Sequence, residues 1–166
     1  GQAGGGCRVM STRWDNHFLR LAQVHAEMSK DPNTRVGAVI VGPDREIRAT
    51  GFNGFPRRIC DDPVRLQNRE TKLQLVVHAE CNAICAAARV GVPLLGCTLY
   101  LAATDDTGAV WGGPPCTRCT VHVLQAGITQ VVSRPRKAVP SRWHADLDVA
   151  EGLLAEAGVS YREVAA

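Results

Sequence analysis

His78-Ala79-Glu80-Cys81-Asn82-Ala83-Ile84 and Pro115-Cys116-Thr117-Arg118-Cys119 are the two stretches around which the rest of the chain is organised. Read together they offer one imidazole and two thiolates, the cysteines at a Cys-x-x-Cys spacing that suits a metal. Three protein ligands leave the fourth corner of a tetrahedral zinc open for water, as in catalytic rather than structural sites. Glu80, two residues after the histidine, is placed to move protons without binding the metal. A structural zinc knuckle would need a fourth protein ligand close in sequence. His122 is the one at hand, and a helix over 116–126 puts it one turn beyond Cys119, facing away from Cys116.

Each metal-binding stretch follows a strand-like run and opens a helix-like one, so two helix N-termini converge on one point at the strand ends. Their positive dipole ends favour the thiolates that a metal needs. Upstream, Trp14, Phe18, Leu21 and Met28 form the apolar stripe of a first helix, with Thr12 as its cap, Asp15 near its N-terminal dipole and His25 at the core edge. Asp31-Pro32-Asn33 closes that segment. Runs 36–41 and 46–52 around the turn Gly42-Pro43-Asp44-Arg45 predict a hairpin. It leads into Asn53-Gly54-Phe55-Pro56-Arg57-Arg58, a loop suited to a polar, anionic ligand. Residues 59–75 are charged and aperiodic, the pattern of a loop over a site. Cys60, Asp61 and Asp62 within it read either as a second metal site or as inert packing, and the second is preferred. A helix over 78–89 places Cys81 and Cys85 one turn apart, in the core. Further strands are expected at 98–103, 129–133 and 159–164, helices at 116–126 and 143–157, and a solvated basic loop at 134–137. This alternation predicts an α/β fold, a three-layer α/β/α sandwich on a central five-stranded mixed sheet.

At 166 residues the chain suits one domain. The start, Gly1 to Gly6, has no initiator methionine and no pattern. Residues 1–12 are therefore expected to be a cloning remnant or disordered start, with Met10 a natural start, and 13–166 a single zinc-dependent domain. Seven cysteines, an odd number, two of them at metal spacing, argue against a disulfide framework and for a cytoplasmic setting. No apolar run approaches the roughly 20 residues that cross a bilayer, so no membrane partner is expected. A net charge of +3 with 5% aromatic residues falls short of a nucleic-acid surface.

The chain resembles the cytidine deaminase-like superfamily, and within it the deoxycytidylate (dCMP) deaminases. The likeness runs from Trp14 to Val132. It rests on the zinc motif, on Ser29-Lys30-Asp31-Pro32 and Arg35-Val36-Gly37-Ala38-Val39-Ile40-Val41, and on Gly51-Phe52-Asn53-Gly54-Phe55-Pro56 and Gln125-Ala126-Gly127-Ile128. The His-x-Glu and Pro-Cys-x-x-Cys pair is the known signature of zinc deaminases; the Asn-Gly-Phe-Pro run points to the nucleotide branch.

The resemblance implies Zn2+ on His78, Cys116 and Cys119, Glu80 as general acid and base, Asn53 holding the sugar, and the Ala79 backbone meeting the base carbonyl. The implied reaction is hydrolysis at C4 of dCMP, or a base-modified dCMP, to dUMP and ammonia. Arg35, Arg57 and Arg58 are the candidates for phosphate, because a planar guanidinium binds it through two oriented bonds. Relatives pass from the third strand to the Pro-Cys within a few residues, whereas here residues 105–113 intervene. Trp111 in that insertion is expected to shape the base end of the pocket or to pack on a neighbouring subunit. The implied partners are a small-molecule nucleotide and further copies of the chain, as a hexamer or dimer. The alternative is a zinc deaminase of another free nucleobase or nucleoside, of cytidine, guanine or adenine type. Below it rank a tRNA or single-stranded DNA deaminase and a nucleotide sensor without turnover.

Overall fold

Alternating side chains on the central strands face two separate cores, and that division gives the molecule three layers. The computed structural model describes residues 12–136 and 141–165; the expectations for 1–11 and for Lys137 fall outside them. The sheet is built from β1 (Thr34–Val41), β2 (Ile47–Phe52), β3 (Thr98–Asp105), β5 (Gln130–Ser133) and β6 (Ser160–Glu163), in the order β2-β1-β3-β5-β6. A sixth strand, β4 (Val110–Trp111), pairs with β3 off this path. The strands β1 and β2, and β1 and β3, are antiparallel, while β3, β5 and β6 run parallel, so the sheet is mixed as expected.

Ala38, Ile40, Leu99, Leu101 and Val131 turn to one face, against α4 (Ala79–Val90), α5 (Thr117–Gln125) and α6 (His144–Glu156). Val39, Val41, Tyr100, Ala102 and Val132 turn to the other, against Phe18, Leu19 and Ala22 of α1 (Thr12–Ala26). Two glycines make these approaches possible. A side-chain carbon on Gly37 would stand 1.9 Å from the Ala22 carbonyl oxygen of α1, and one on Gly51 would stand 2.2 Å from that of Ala79 in α4. The second fixes the N-terminus of α4 against β2.

The buried face of α1 is Asp15, Phe18, Leu19, Ala22 and Ala26. The expected stripe is thus displaced: Trp14 is 38% exposed, and Met28 lies beyond the helix end. Asp15 is no dipole-end carboxylate at the surface. It is buried, accepts a 2.9 Å hydrogen bond from the Tyr100 hydroxyl, and forms a two-bonded ion pair with Arg162 of β6. His25 does sit at a core edge, edge-on to Phe52 with ring centroids 5.4 Å apart.

Residues 59–75 are not a bare loop. Asp62 accepts from the Val64 amide to cap α2 (Pro63–Gln67), and Asn68 accepts from the Thr71 amide to cap α3 (Arg69–Leu75). Asp61 pairs with Lys30 at 2.8 Å, so Cys60 and its two aspartates do not gather around a point. The basic run is also not wholly solvated. Arg134 is buried, its guanidinium donating to Asn16 and to the Val164 and Ala165 carbonyls, and Arg136 pairs with Asp148 and Glu151.

Candidate active site

The residues His78 and Cys116 are the N-cap positions of α4 and α5, both in extended backbone geometry and neither using its side chain to cap its own helix. Their side chains instead meet each other across the gap between the two helix starts. Two devices hold the first side chain in place. The Gly54 and Val77 backbones exchange hydrogen bonds of 3.1 and 2.8 Å just before His78, and the Asn82 amide group donates to the Phe52 carbonyl at 2.6 Å. At the second helix, Asp146 of α6 accepts from the Thr117 amide at 2.9 Å, which takes up one N–H that a helix start leaves unpaired.

The result is a cluster of three donors. His78 Nδ1 is 3.4 Å from both Cys116 Sγ and Cys119 Sγ, and all three atoms lie within 4.8 Å of one another. Tetrahedral zinc, with bonds of roughly 2.0–2.1 Å to nitrogen and 2.3 Å to sulfur, would set such atoms about 3.6 Å apart. The donor set and its spacing therefore fit the ion. Hydrogen bonds from the Cys119 thiol and the His78 imidazole pull the Cys116 thiol down to about 4. That thiolate in turn raises His78 to about 9. Cys119 is pushed up, because the Cys116 and Cys81 sulfurs beside it oppose a second negative charge. His122 plays no part: it is exposed and its Nδ1 bonds to the Arg118 carbonyl one turn back.

His78 and Cys116 open onto a cavity of about 720 Å³ lined also by Asn53, Ala79, Glu80 and Trp111. Glu80 is buried at 5% exposure, and burial raises its pKa while the neighbouring His78 charge lowers it. Asn53 is fixed from both ends of its side chain. Its Oδ1 accepts from the Val36 amide at 2.8 Å and its Nδ2 donates to the Thr34 carbonyl at 2.9 Å, which leaves one proton and one lone pair for a ligand. Trp111 is carried by β4, which pairs with Ala103 and Thr104 of β3 beyond the point where β5 stops at Leu101. The insertion is thus a short hairpin, its turn held by Asp105, which accepts from Thr107 and from the Ala109 amide.

The expected arginines are elsewhere. Arg35, Arg57 and Arg58 are exposed and are not among the residues lining the cavity. The cations that do line it are Arg69 and Lys72 of α3 and Arg142, which lies in the 3-10 turn Ser141–Trp143 before α6. Sequence reading missed Trp143 and Leu147, which also line the cavity. Nothing in the spacing of those residues marks them, because they reach the cavity only through the packing of α6 on α5. Cys81 and Cys85 also depart from expectation: Cys85 is exposed, and Cys81 is half-buried with its Sγ 3.7 Å from that of Cys119.

Residues 12–134 match the family described as the cytidine and deoxycytidylate deaminase zinc-binding region. The chain is 35% identical to human deoxycytidylate deaminase over 155 residues, 90% of this chain and 79% of that protein. It is 33% identical over 151 residues to an uncharacterized deaminase in the luxG 3' region of Aliivibrio fischeri, covering 90% of this chain and 92% of that one. In fold it is similar to the crystal structure of dCMP deaminase from the cyanophage S-TIM5 in complex with dCMP and dUMP. That match has a TM-score of 0.67 and 22% identity, and covers 93% and 98% of the two chains.

Proposed function

The chain belongs to the cytidine and deoxycytidylate deaminase family, and from that premise we propose that it hydrolyses the 4-amino group of dCMP to give dUMP and ammonia. The observation that carries this reading is the cluster of His78, Cys116 and Cys119 donors, of which His78 and Cys116 stand on the wall of one cavity with the buried Glu80 carboxyl. Zinc held by those three residues supplies the Lewis acidity that makes water a nucleophile near neutral pH.

The protein's own groups do the rest. Glu80 takes a proton from the attacking water and passes it to the ring nitrogen beside C4. It then takes the proton of the new C4 hydroxyl and delivers it to the amino group as the C4–N bond breaks, so the water oxygen stays on the ring as a carbonyl and ammonia leaves. A raised pKa suits a carboxyl that must both accept and release. The Ala79 amide, an unpaired N–H at the start of α4, donates to the base carbonyl. Asn53 meets the sugar with its remaining donor and acceptor. Arg69, Lys72 and Arg142, which line the cavity, take the phosphate in place of Arg35, Arg57 and Arg58. Trp111 covers the base.

Among the described residues no helix is long and apolar enough to cross a membrane. A single domain over 13–166, a homo-oligomeric state as hexamer or dimer, and a cytoplasmic setting belong to the same reading. It is tested by ammonia release from dCMP, deoxycytidine, dCTP, CMP, 5-methyl-dCMP, guanine and adenosine. Turnover confined to dCMP and its base-modified forms is expected. Turnover of an unphosphorylated compound in its place would overturn the nucleotide reading, and bound nucleotide without ammonia release would make the protein a sensor.

A further inference from the structure

The two helix starts at the metal centre are built alike. In α5 the ligands are the N-cap Cys116 and Cys119 three residues on; in α4 the same two places hold His78 and Cys81. Residues three apart on a helix project from one face, so four side chains converge where three are needed. Cys81 is the one that stays outside. Its sulfur is not part of the group whose donor atoms all lie within 4.8 Å of one another, yet it is 3.7 Å from Cys119 Sγ, within hydrogen-bonding distance for sulfur.

We propose that Cys81 is a positioning residue of the metal centre, its thiol donating a hydrogen bond to the Cys119 sulfur and so setting how much charge that ligand gives to the metal. The proposal rests on the zinc reading above. Cys119 is 1% exposed, so its sulfur carries its charge where water cannot solvate it, and a buried anion depends on fixed donors. Once Cys119 is a metal-bound thiolate it has no proton to give, and the Cys81 S–H becomes the donor of the pair. A hydrogen bond to a ligand sulfur draws electron density from the metal–sulfur bond. The metal is left a stronger Lewis acid and the ligand is held in one orientation. Cys81 also follows Glu80 directly, so the same turn of α4 that presents the proton carrier steadies the ligand of the other helix.

The test uses the full chain with its metal exchanged for Co2+, whose thiolate charge-transfer absorption reports on the ligand sulfurs. In Cys81→Ala the band should move to lower energy, because the sulfur lone pairs lose their donor. Metal retention against a chelator should weaken about 10-fold, and kcat should fall by a similar factor with KM unchanged. Cys81→Val, which fills the place of the thiol with apolar groups that cannot donate, should give the same shift and keeps the test open if the alanine variant fails to fold. Cys81→Ser should restore the band, and Cys85→Ala, altering an exposed cysteine one turn along, should leave it alone. An unmoved band and unmoved retention in both non-donor variants would overturn the proposal. So would loss of one thiolate's share of the intensity, which would make Cys81 a ligand. Absence of any thiolate–cobalt band in the unaltered protein would instead overturn the zinc reading beneath it.

Discussion

The Lys72 ammonium lies 3.2 Å from the Asp31 carboxylate and 2.9 Å from Asn33 Oδ1, at the wall of the cavity that holds Glu80. Both members of the ion pair are well covered, at 13% and 11% exposure. Two of the three ammonium protons are committed, which leaves one directed donor for an anionic ligand. Replacing Lys72 by Met should raise KM for dCMP about 10- to 100-fold, the worth of a hydrogen bond to a charged group at roughly 1.5–3 kcal/mol. Arg57→Ala should leave KM for dCMP as it is. Steady-state kinetics on dCMP with the two variants decide it.

Glu80 should be indispensable to turnover and a burden on stability. Glu80→Gln is expected to lose roughly 10²- to 10⁴-fold in kcat while still binding one zinc. Burial holds the folded carboxyl above its unfolded value. Between those two values the native state keeps a proton that the unfolded chain has released, so stability falls as pH rises through that window. The metal-free Gln variant should therefore melt higher than its parent at pH 7, and at the same temperature below about pH 4, where both forms of the carboxyl are protonated. Calorimetry at the two pH values checks the sign.

The sequence made the metal centre legible because its ligands fall in two short motifs whose spacing is dictated by coordination geometry. His78, Glu80, Cys116 and Cys119 were readable for that reason, and so was the alternation of strands and helices. The displaced face of α1 was not, since Asp15 becomes an inward residue only through Arg162, which is 147 positions away. The cavity cations were missed for a similar reason. Arg57 and Arg58 sit beside the Asn53 loop in sequence, but the chain turns outward there, with Arg58 at a φ of 69°. Lys72 reaches the site because α3 packs back over it, a tertiary fact that composition does not carry. The 105–113 segment, read as an insertion, gains the short strand β4 only by pairing with β3.

Metal loading should release about two protons per zinc across a wide pH range. Without metal, Cys116 titrates at about 4 and His78 at about 9, so at pH 5.5 the first is already a thiolate and the second still an imidazolium. Zinc must then displace one proton from His78 and one from Cys119, whose thiol is held protonated by its sulfur neighbours. Independent groups with ordinary values would release nearly three at pH 5.5, two from the thiols and one from the imidazole. Titration calorimetry in buffers of different ionisation enthalpy counts them. Chelating the zinc should abolish ammonia release, and adding it back should restore it.

Trp111 should govern the base rather than the phosphate. Its strand is pinned on the far side as well, where the Gly112 amide donates to the Pro135 carbonyl at 3.2 Å and the Gly113 amide to Ser133 Oγ at 3.1 Å. The backbone that carries the ring is thus fixed, and base–aromatic stacking is worth about 1–3 kcal/mol. Trp111→Ala is expected to lower kcat/KM for dCMP at least several-fold and to change the ratio of dCMP to 5-methyl-dCMP turnover. An unchanged ratio would show that the side chain does not shape the base end of the pocket.

The buried Asp15, Tyr100 and Arg162 network should respond unequally to the loss of its two charges. Asp15 is 2% exposed in its side chain, whereas Arg162 is 31% exposed. With Arg162→Met, the Asp15 carboxylate stays in the core with only the Tyr100 hydroxyl donating to it, an unpaired buried charge of the kind that costs about 3–5 kcal/mol. With Asp15→Asn, Arg162 can turn part of its guanidinium to water, and the amide oxygen still accepts from Tyr100, so the loss should be nearer 1–2 kcal/mol. Tyr100 reports on the same network, because burial and the Asp15 charge together hold its hydroxyl protonated well above the ordinary phenol range. In Asp15→Asn that charge is gone, and the tyrosine should titrate at lower pH than in the parent. Thermal melts of the two single variants and their double, with ultraviolet titration of Tyr100, would separate these effects. Equal losses in the two single variants would mean that the carboxylate reaches water after all.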